Sequence, residues 1–172
     1  MSSLIIREPV ETDIRALQPV FQQCIRNDRG AFILTEAEGV KDSLRADIAG
    51  ENLQHFLVAE QAGQVLGIMG IQPPDKGMEK FTVTPRPTEL ITALVSEQAR
   101  GKGVGRALVS ALTEMAVAEG STELVVNSGP RYKKTGWPFW ERLFGESVGV
   151  AKNYYGRGGD ALVWRKPLDK AE

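Results

Sequence analysis

The chain has very little of several things. Among its 172 residues there is one cysteine, Cys24, and one histidine, His55. A single cysteine excludes an internal disulfide, and the two residues together cannot build the cysteine or histidine sets that hold zinc. No metal is expected. An excess of one charge is also missing: 21 Lys and Arg stand against 22 Asp and Glu, a net charge of −1. That balance gives no global argument for a nucleic-acid partner. No apolar run approaches the roughly 20 residues needed to span a bilayer. The opening "MSSLIIREPV" meets charge too early for a signal peptide. The expectation is a soluble, cytoplasmic protein with neither a membrane nor a nucleic-acid partner.

What is present suits one domain over residues 1–172, with 42% apolar and 25% charged residues. No repeat or low-complexity linker divides it. "LIIR" (4–7) reads as a strand that Pro9 ends. Thr12 or Asp13 can cap one helix carrying Ile14, Leu17, Val20, Phe21 and Ile25. A second helix is predicted from Glu36 to Ala49, stopped by Gly50. Ala62-Gly63 divides two apolar runs as a hairpin turn would. "QPPDKGMEKFTVTPRP" reads as a long loop with one short strand at Lys80 to Thr84. "TELITALV" (88–95) is apolar enough for a central strand. A helix to Glu119, the strand "ELVVNS", the short helix "WPFWERLF" and the closing strands "SVGVA" and "DALVWRK" follow.

The densest chemistry is "ARGKGVGRAL" (99–108), set between a strand and a helix. A helix start leaves several N–H groups unpaired and favours an anion in front of them. Glycines allow positive φ and close approach, and successive free N–H groups form an anion nest. Arg100, Lys102 and Arg106 add charge there. The stretch is suited to phosphate, and to a diphosphate in particular. A Walker A loop needs Ser or Thr after its lysine, whereas Gly103 follows Lys102. A dinucleotide fingerprint fits poorly, because "SEQAR" intervenes after the strand and the next strand ends in Asn127 and Ser128, with no acid. The pattern [RQ]-x-x-G-x-[GA] fits Arg100 through Gly105.

In "TELITALVSEQARGKGVGRALVSAL", around the core "RGKGVGRAL", the chain resembles the GNAT family, the Gcn5-related N-acetyltransferases. "IREPVETDIRAL" resembles the family's opening and "NYYGRGGDALVWRK" its closing segment. The resemblance implies an α/β fold: a mixed central sheet of about seven strands with flanking helices and a splay between strands 4 and 5. It implies acetyl-CoA as cosubstrate in the gap between Thr88–Val95 and Glu123–Ser128. The pantetheine would meet main chain at Leu94 and Val95, and the pyrophosphate would lie on Arg100, Gly101, Lys102, Gly103, Val104, Gly105 and Arg106, with Asn127 as a further cofactor contact. It also implies direct attack of an amine on the thioester, without a covalent enzyme intermediate.

An amine of pKa roughly 10 arrives as ammonium and must lose a proton to a carboxylate, directly or through water. Glu89, early on the central strand, is the leading base; Glu36 and Glu38 are weaker candidates in the segment that lines the acceptor site in this family. The leaving thiolate needs a proton. The family's short helix often carries a tyrosine for this, but "FWERLF" places Trp140 there, and an indole does not titrate usefully. Tyr154 and Tyr155 are the substitutes, with Tyr132 behind them. Arg131, Lys133 and Lys134 face either an acceptor carboxylate, the cofactor's 3′-phosphate or solvent. His55 and Cys24 read as structural.

The expected activity is acetyl-CoA-dependent N-acetyl transfer to a primary amine of a small molecule or amino acid. A protein N-terminus or lysine, a non-catalytic acyl-CoA sensor and a different phosphate binder are the alternatives. A homodimer is left open.

Overall fold

The computed structural model describes residues 2–169. The strands are β1 (Ile5–Arg7), β2 (His55–Gln61), β3 (Gln64–Gln72), β4 (Pro87–Val95), β5 (Glu123–Ser128), β6 (Gly149–Ala151) and β7 (Ala161–Pro167). The helices are α1 (Glu11–Ala16), α2 (Gln18–Cys24), α3 (Leu34–Ala49), α4 (Lys76–Glu79), α5 (Val104–Ala118) and α6 (Gly136–Phe144). The seven strands form one mixed sheet in the order β1-β2-β3-β4-β5-β7-β6. β4 and β5 pair in parallel, with Pro87↔Glu123, Thr88↔Leu124 and Glu89↔Val125 in register. That ladder spans three residues of a nine-residue strand. Thr92, with φ 54°, lies just beyond it. A β-branched residue at positive φ is a backbone outlier and breaks a strand's regular pleat.

Backbone contacts gather the chain into two compact units, Met1–Ile71 with Ile91–Leu112, and Gln72–Leu90 with Thr113–Glu172. In the first, β2 and β3 form a hairpin whose turn residues Ala62 and Gly63 take φ 52° and 76°. Two successive positive φ values suit the right-handed twist of the flanking strands. The core of this unit joins Leu17, Val20, Phe21 and Ile25 to Leu44, Phe56, Val58 and Ile68. Burying each of these side chains stabilises by about 1.5–3 kcal/mol before entropy is counted.

The predicted first helix is two helices. Pro19 stands in the first turn of α2, where its missing N–H costs nothing, and the chain bends at Leu17 to admit it. The cap also differs: α1 starts after Val10, and Asp13 instead accepts the Val10 N–H from inside the helix, at 2.8 Å. Asp13 is 3% exposed and is gripped by the Arg7 guanidinium at 2.8 and 2.9 Å. Arg7 also donates to Glu60 at 2.7 Å, which ties β1, α1 and β2 together. Burial would raise the Asp13 carboxyl, but the Arg7 fork and the Val10 N–H outweigh it and hold the group below its ordinary range.

In the second unit, β7 pairs antiparallel with β5 and β6. Met78, Val125, Ala151, Ala161 and Val163 form its core, with Phe81 and Tyr154 packed against it. The strand expected at Lys80 to Thr84 is not there. The preceding residues form the one-turn helix α4, capped by Asp75, whose Oδ1 accepts from the Gly77 and Met78 N–H groups. The following residues hang from β5 instead of pairing as a strand: the buried Glu123 carboxylate accepts the Val83 and Thr84 N–H groups at 2.7 and 3.1 Å.

Candidate active site

The glycine-rich loop belongs to the first unit. A short 3-10 turn (Glu97–Ala99) leads from β4 into it. Gly101 and Gly103 take φ 71° and 86°, and a Cβ on either would meet nothing within 4 Å. Backbone conformation, not crowding, therefore selects glycine there. The α5 ladder is entered where Ala107 N–H donates to the Gly103 carbonyl at 2.9 Å. The amides just before it precede the first bond of that ladder, the place where a helix start leaves N–H groups without a helical acceptor. Val104 is buried and anchors the helix start, Gly105 is half-buried, and Arg100, Lys102 and Arg106 are exposed.

Arg100 does more than supply charge. Its Nε donates to the Val95 carbonyl at 3.2 Å, and its Nη2 lies 3.5 Å from Cys24 Sγ. The Cys24 thiol donates to the same carbonyl at 3.4 Å. Burial pushes this thiol up, against the pull of Arg100, which suits a packing residue and not a nucleophile. Leu94 is buried and its carbonyl faces β3, where a Cβ on Gly67 would come within 2.8 Å of it.

The second unit holds the predicted catalytic residues, and it brings all three together. Glu89 is 2% exposed, not the strand-end surface charge that its position allows. Its Oε2 accepts from Gln72 Nε2 and from the Asp75 main-chain N–H, each at 3.1 Å. Its Oε1 accepts from Asn127 Nδ2 at 3.3 Å. Tyr155 donates its hydroxyl to Asn127 Oδ1, and Tyr154 donates to Asp75 Oδ2. The two tyrosine rings meet edge to face with centroids 4.9 Å apart. The contacts therefore close a ring: Tyr154, Asp75, Glu89, Asn127, Tyr155. Desolvation raises the Glu89 pKa above the ordinary carboxylate range, although its hydrogen bonds oppose this. Burial and the Asp75 hydrogen bond push the Tyr154 phenol well above its ordinary value, so it keeps its proton at neutral pH.

The other candidates sit elsewhere. Asn127, expected at the cofactor, has both ends of its amide engaged by Glu89 and Tyr155. Trp140 is 3% exposed and packs against Phe139 and Phe144, so the tyrosine's usual place is filled by core. Arg131 lies over Tyr132, and Lys133 lies over Trp137, whose indole N–H donates to the Ser128 carbonyl. Glu38 pairs with Lys41 at 3.1 Å, and Glu36 is an exposed first-turn acid. His55 Nδ1 lies 3.4 Å from Asp47, which also accepts the Phe56 N–H and joins α3 to β2. Among the described residues no group of three or more His, Cys, Asp or Glu side chains could hold a metal, and no helix is long and apolar enough to cross a membrane.

Asp75, Gln72 and Gly77 were not legible as site residues. The one local signal was an aspartate two residues before a glycine in "PDKGM", the sequence of a helix cap.

Comparison with known proteins agrees with this architecture. The family model described as "Acetyltransferase (GNAT) family" matches residues 14–145. The rat N-acetyltransferase family 8 member 2 is 32% identical over 99 residues, a stretch covering 52% of this chain and 41% of that protein. The chain thus spans less than half of that relative. The ribosomal-protein-alanine N-acetyltransferase of Brucella melitensis superimposes with a TM-score of 0.69 at 27% identity, covering 95% of this chain and 99% of that one. An aminoglycoside 6′-N-acetyltransferase solved with coenzyme A superimposes with a TM-score of 0.69 at 16% identity, covering 98% of this chain and 99% of that one. With its parallel β4–β5 pair in a seven-stranded mixed sheet and its glycine loop ahead of α5, the chain belongs to the acetyltransferase (GNAT) family.

Proposed function

We propose that the chain works as a single acetyl-CoA-dependent N-acetyltransferase domain, acting on a primary amine of a small molecule or amino acid. The observation that carries this reading is the Glu89 network: a buried carboxylate tied through Asp75 and Asn127 to two phenols. A carboxylate raised by desolvation is a better proton acceptor at neutral pH than a solvated one.

In this reading the glycine loop, Gly101 through Gly105, holds the cofactor diphosphate with its main-chain N–H groups, and Arg100, Lys102 and Arg106 supply charge. Coenzyme A in the aminoglycoside enzyme of the same fold supports that ligand for this chain. The acceptor ammonium gives its proton to Glu89 through water, because Glu89 itself is too buried to meet a substrate. The amine nitrogen attacks the thioester carbonyl, the C–N bond forms and the C–S bond breaks. The thiolate takes a proton from a phenol. Tyr155 is the more accessible of the pair at 55% exposed, and it is hydrogen-bonded to a neutral amide, while the Tyr154 proton is held by a carboxylate.

The near-neutral charge favours a small acceptor over a nucleic-acid-bound one. A protein N-terminus is the second reading, favoured by the 27% identity to the Brucella enzyme across nearly the whole chain. The test is calorimetric titration with acetyl-CoA, followed by coenzyme A release with a panel of aminoglycosides, polyamines, amino acids and peptides beginning with alanine. Binding with amine-dependent release supports the proposal. Binding without release from any amine makes the protein a sensor. Absence of binding removes the proposal altogether.

A further inference from the structure

The loop between β3 and β4 touches the Glu89 network at two points, both made by one residue. The Asp75 main-chain N–H donates to Glu89 Oε2, and the Asp75 side chain accepts from Tyr154. The other carboxylate oxygen of Asp75 is spent on the α4 cap. Asp75 is therefore fixed in orientation by α4 while it holds both partners. Gly77 completes the arrangement. A Cβ there would lie 2.6 Å from Tyr154 Cε2 and 3.0 Å from Cδ2. The Tyr154 ring rests on bare backbone, and only glycine leaves it room. Gly129 gives Tyr155 a similar seat, with a Cβ falling 3.0 Å from that ring.

We propose that Asp75 and Gly77 are positioning residues for the proton-transfer network, Asp75 fixing the Glu89 carboxylate through its main chain and Gly77 admitting the Tyr154 ring that the Asp75 side chain holds. The inference rests on the proposed role of Glu89. It assigns a function to a loop whose sequence reads only as a long connection. The groups facing Glu89 are Gln72 from the end of β3, Asp75 from the loop and Asn127 from β5, with the neutral phenols of Tyr154 and Tyr155 joined to the cluster through Asp75 and Asn127.

Three variants test it. Asp75→Asn and Asp75→Ala both remove a charge that adds to the desolvation raising Glu89, but only Asp75→Ala also loses the α4 cap that holds the Asp75 N–H on Glu89. The acid limb of kcat, where Glu89 takes up a proton and loses function as base, should therefore lie at higher pH in Asp75→Ala than in Asp75→Asn. An Asp75 that acts only through its charge would give both variants the same limb. Gly77→Ala forces the Tyr154 ring off its seat and against Tyr155, which it meets edge to face at 4.9 Å, and a displacement near 1 Å in such a cluster can cost about 100-fold in kcat. The KM for acetyl-CoA should stay unchanged. In a Tyr154→Ala background Gly77→Ala should add little, because the ring that its Cβ would strike is already gone. Losses that multiply instead would overturn the Gly77 assignment.

A titration of the Glu89 carboxyl by carbon-13 NMR, assigned with Glu89→Gln, reads the same claim without turnover. A Glu89 titration that lies higher in Asp75→Ala than in Asp75→Asn supports positioning, and coincident titrations overturn it. If the native protein transfers no acetyl group, the proposed function fails and this titration alone decides the positioning claim.

Discussion

Gly103 offers the sharpest separation of folding from binding. Its φ of 86° is one that other residues adopt only with strain, yet a side chain there would meet no neighbour within 4 Å. Gly103→Ala and Gly103→Glu should therefore carry the same folding penalty, about 1–2 kcal/mol for the backbone alone. At about 2–4 °C per kcal/mol for a chain of this size, each melts about 2–8 °C below the native protein. Ligand linkage acts in the other direction. Acetyl-CoA at about 100 times its Kd stabilises the native protein by about 2.7 kcal/mol, an upward shift of about 5–11 °C. Gly103→Glu places bulk and negative charge in front of the nest and should abolish that upward shift. Gly103→Ala should keep part of it. The assay is thermal unfolding of the three proteins with and without acetyl-CoA. If Gly103→Glu keeps the full ligand-induced shift, the loop is not the diphosphate cradle.

Other perturbations have equally definite outcomes. Arg7→Met strands the buried Asp13 carboxylate and should cost about 3–5 kcal/mol by urea unfolding at pH 7. Because the folded Asp13 pKa lies below the unfolded value of 3.8, its contribution is present above that pH and is lost as pH falls through the folded pKa. The Arg7→Met penalty should therefore shrink in acid. Glu89 has the opposite sign: its folded pKa is raised, so its stabilising effect is present below the unfolded value of 4.5 and is lost as pH rises through the folded pKa. Glu89→Gln sets an amide nitrogen against donors that now meet a carboxylate oxygen, but its stability relative to the native protein should rise as pH rises through the folded Glu89 pKa, and a pH-independent difference would contradict the desolvation account. Trp140→Ala should cost about 3–5 kcal/mol by the same assay. Trp140→Phe should leave kcat unchanged, and a large kcat loss would return Trp140 to the chemistry.

Elements whose signals are local were legible in the sequence. β5 is the segment "ELVVNS" around its apolar centre at 124–126, and Ala62-Gly63 makes the hairpin turn. The glycine loop carries its motif in consecutive residues, so its place before α5 followed directly. Three features escaped for a common reason. The break at Leu17 depends on how Pro19 competes with a continuous apolar stripe. α4 is a single turn with no periodicity to read. The Asp75–Glu89 and Asn127–Glu89 contacts join residues 14 and 38 positions apart, and they depend on the register of β4 against β5. Glu89, Tyr154 and Tyr155 could each be named from residue type and place. Their closure into one ring could not, because Gly77 and Gly129 reveal their purpose only when the tyrosine rings lie on them.

The most direct test of the central claim is coenzyme A release from acetyl-CoA, measured with the best amine of the panel, for the native protein and Glu89→Gln across pH. A positioned base contributes about 10²–10⁴ in rate. The account predicts a kcat loss in that range for Glu89→Gln, with acetyl-CoA binding intact and the acid limb of the native profile abolished. A Glu89→Gln protein that turns over at the native rate with the native pH profile would contradict it.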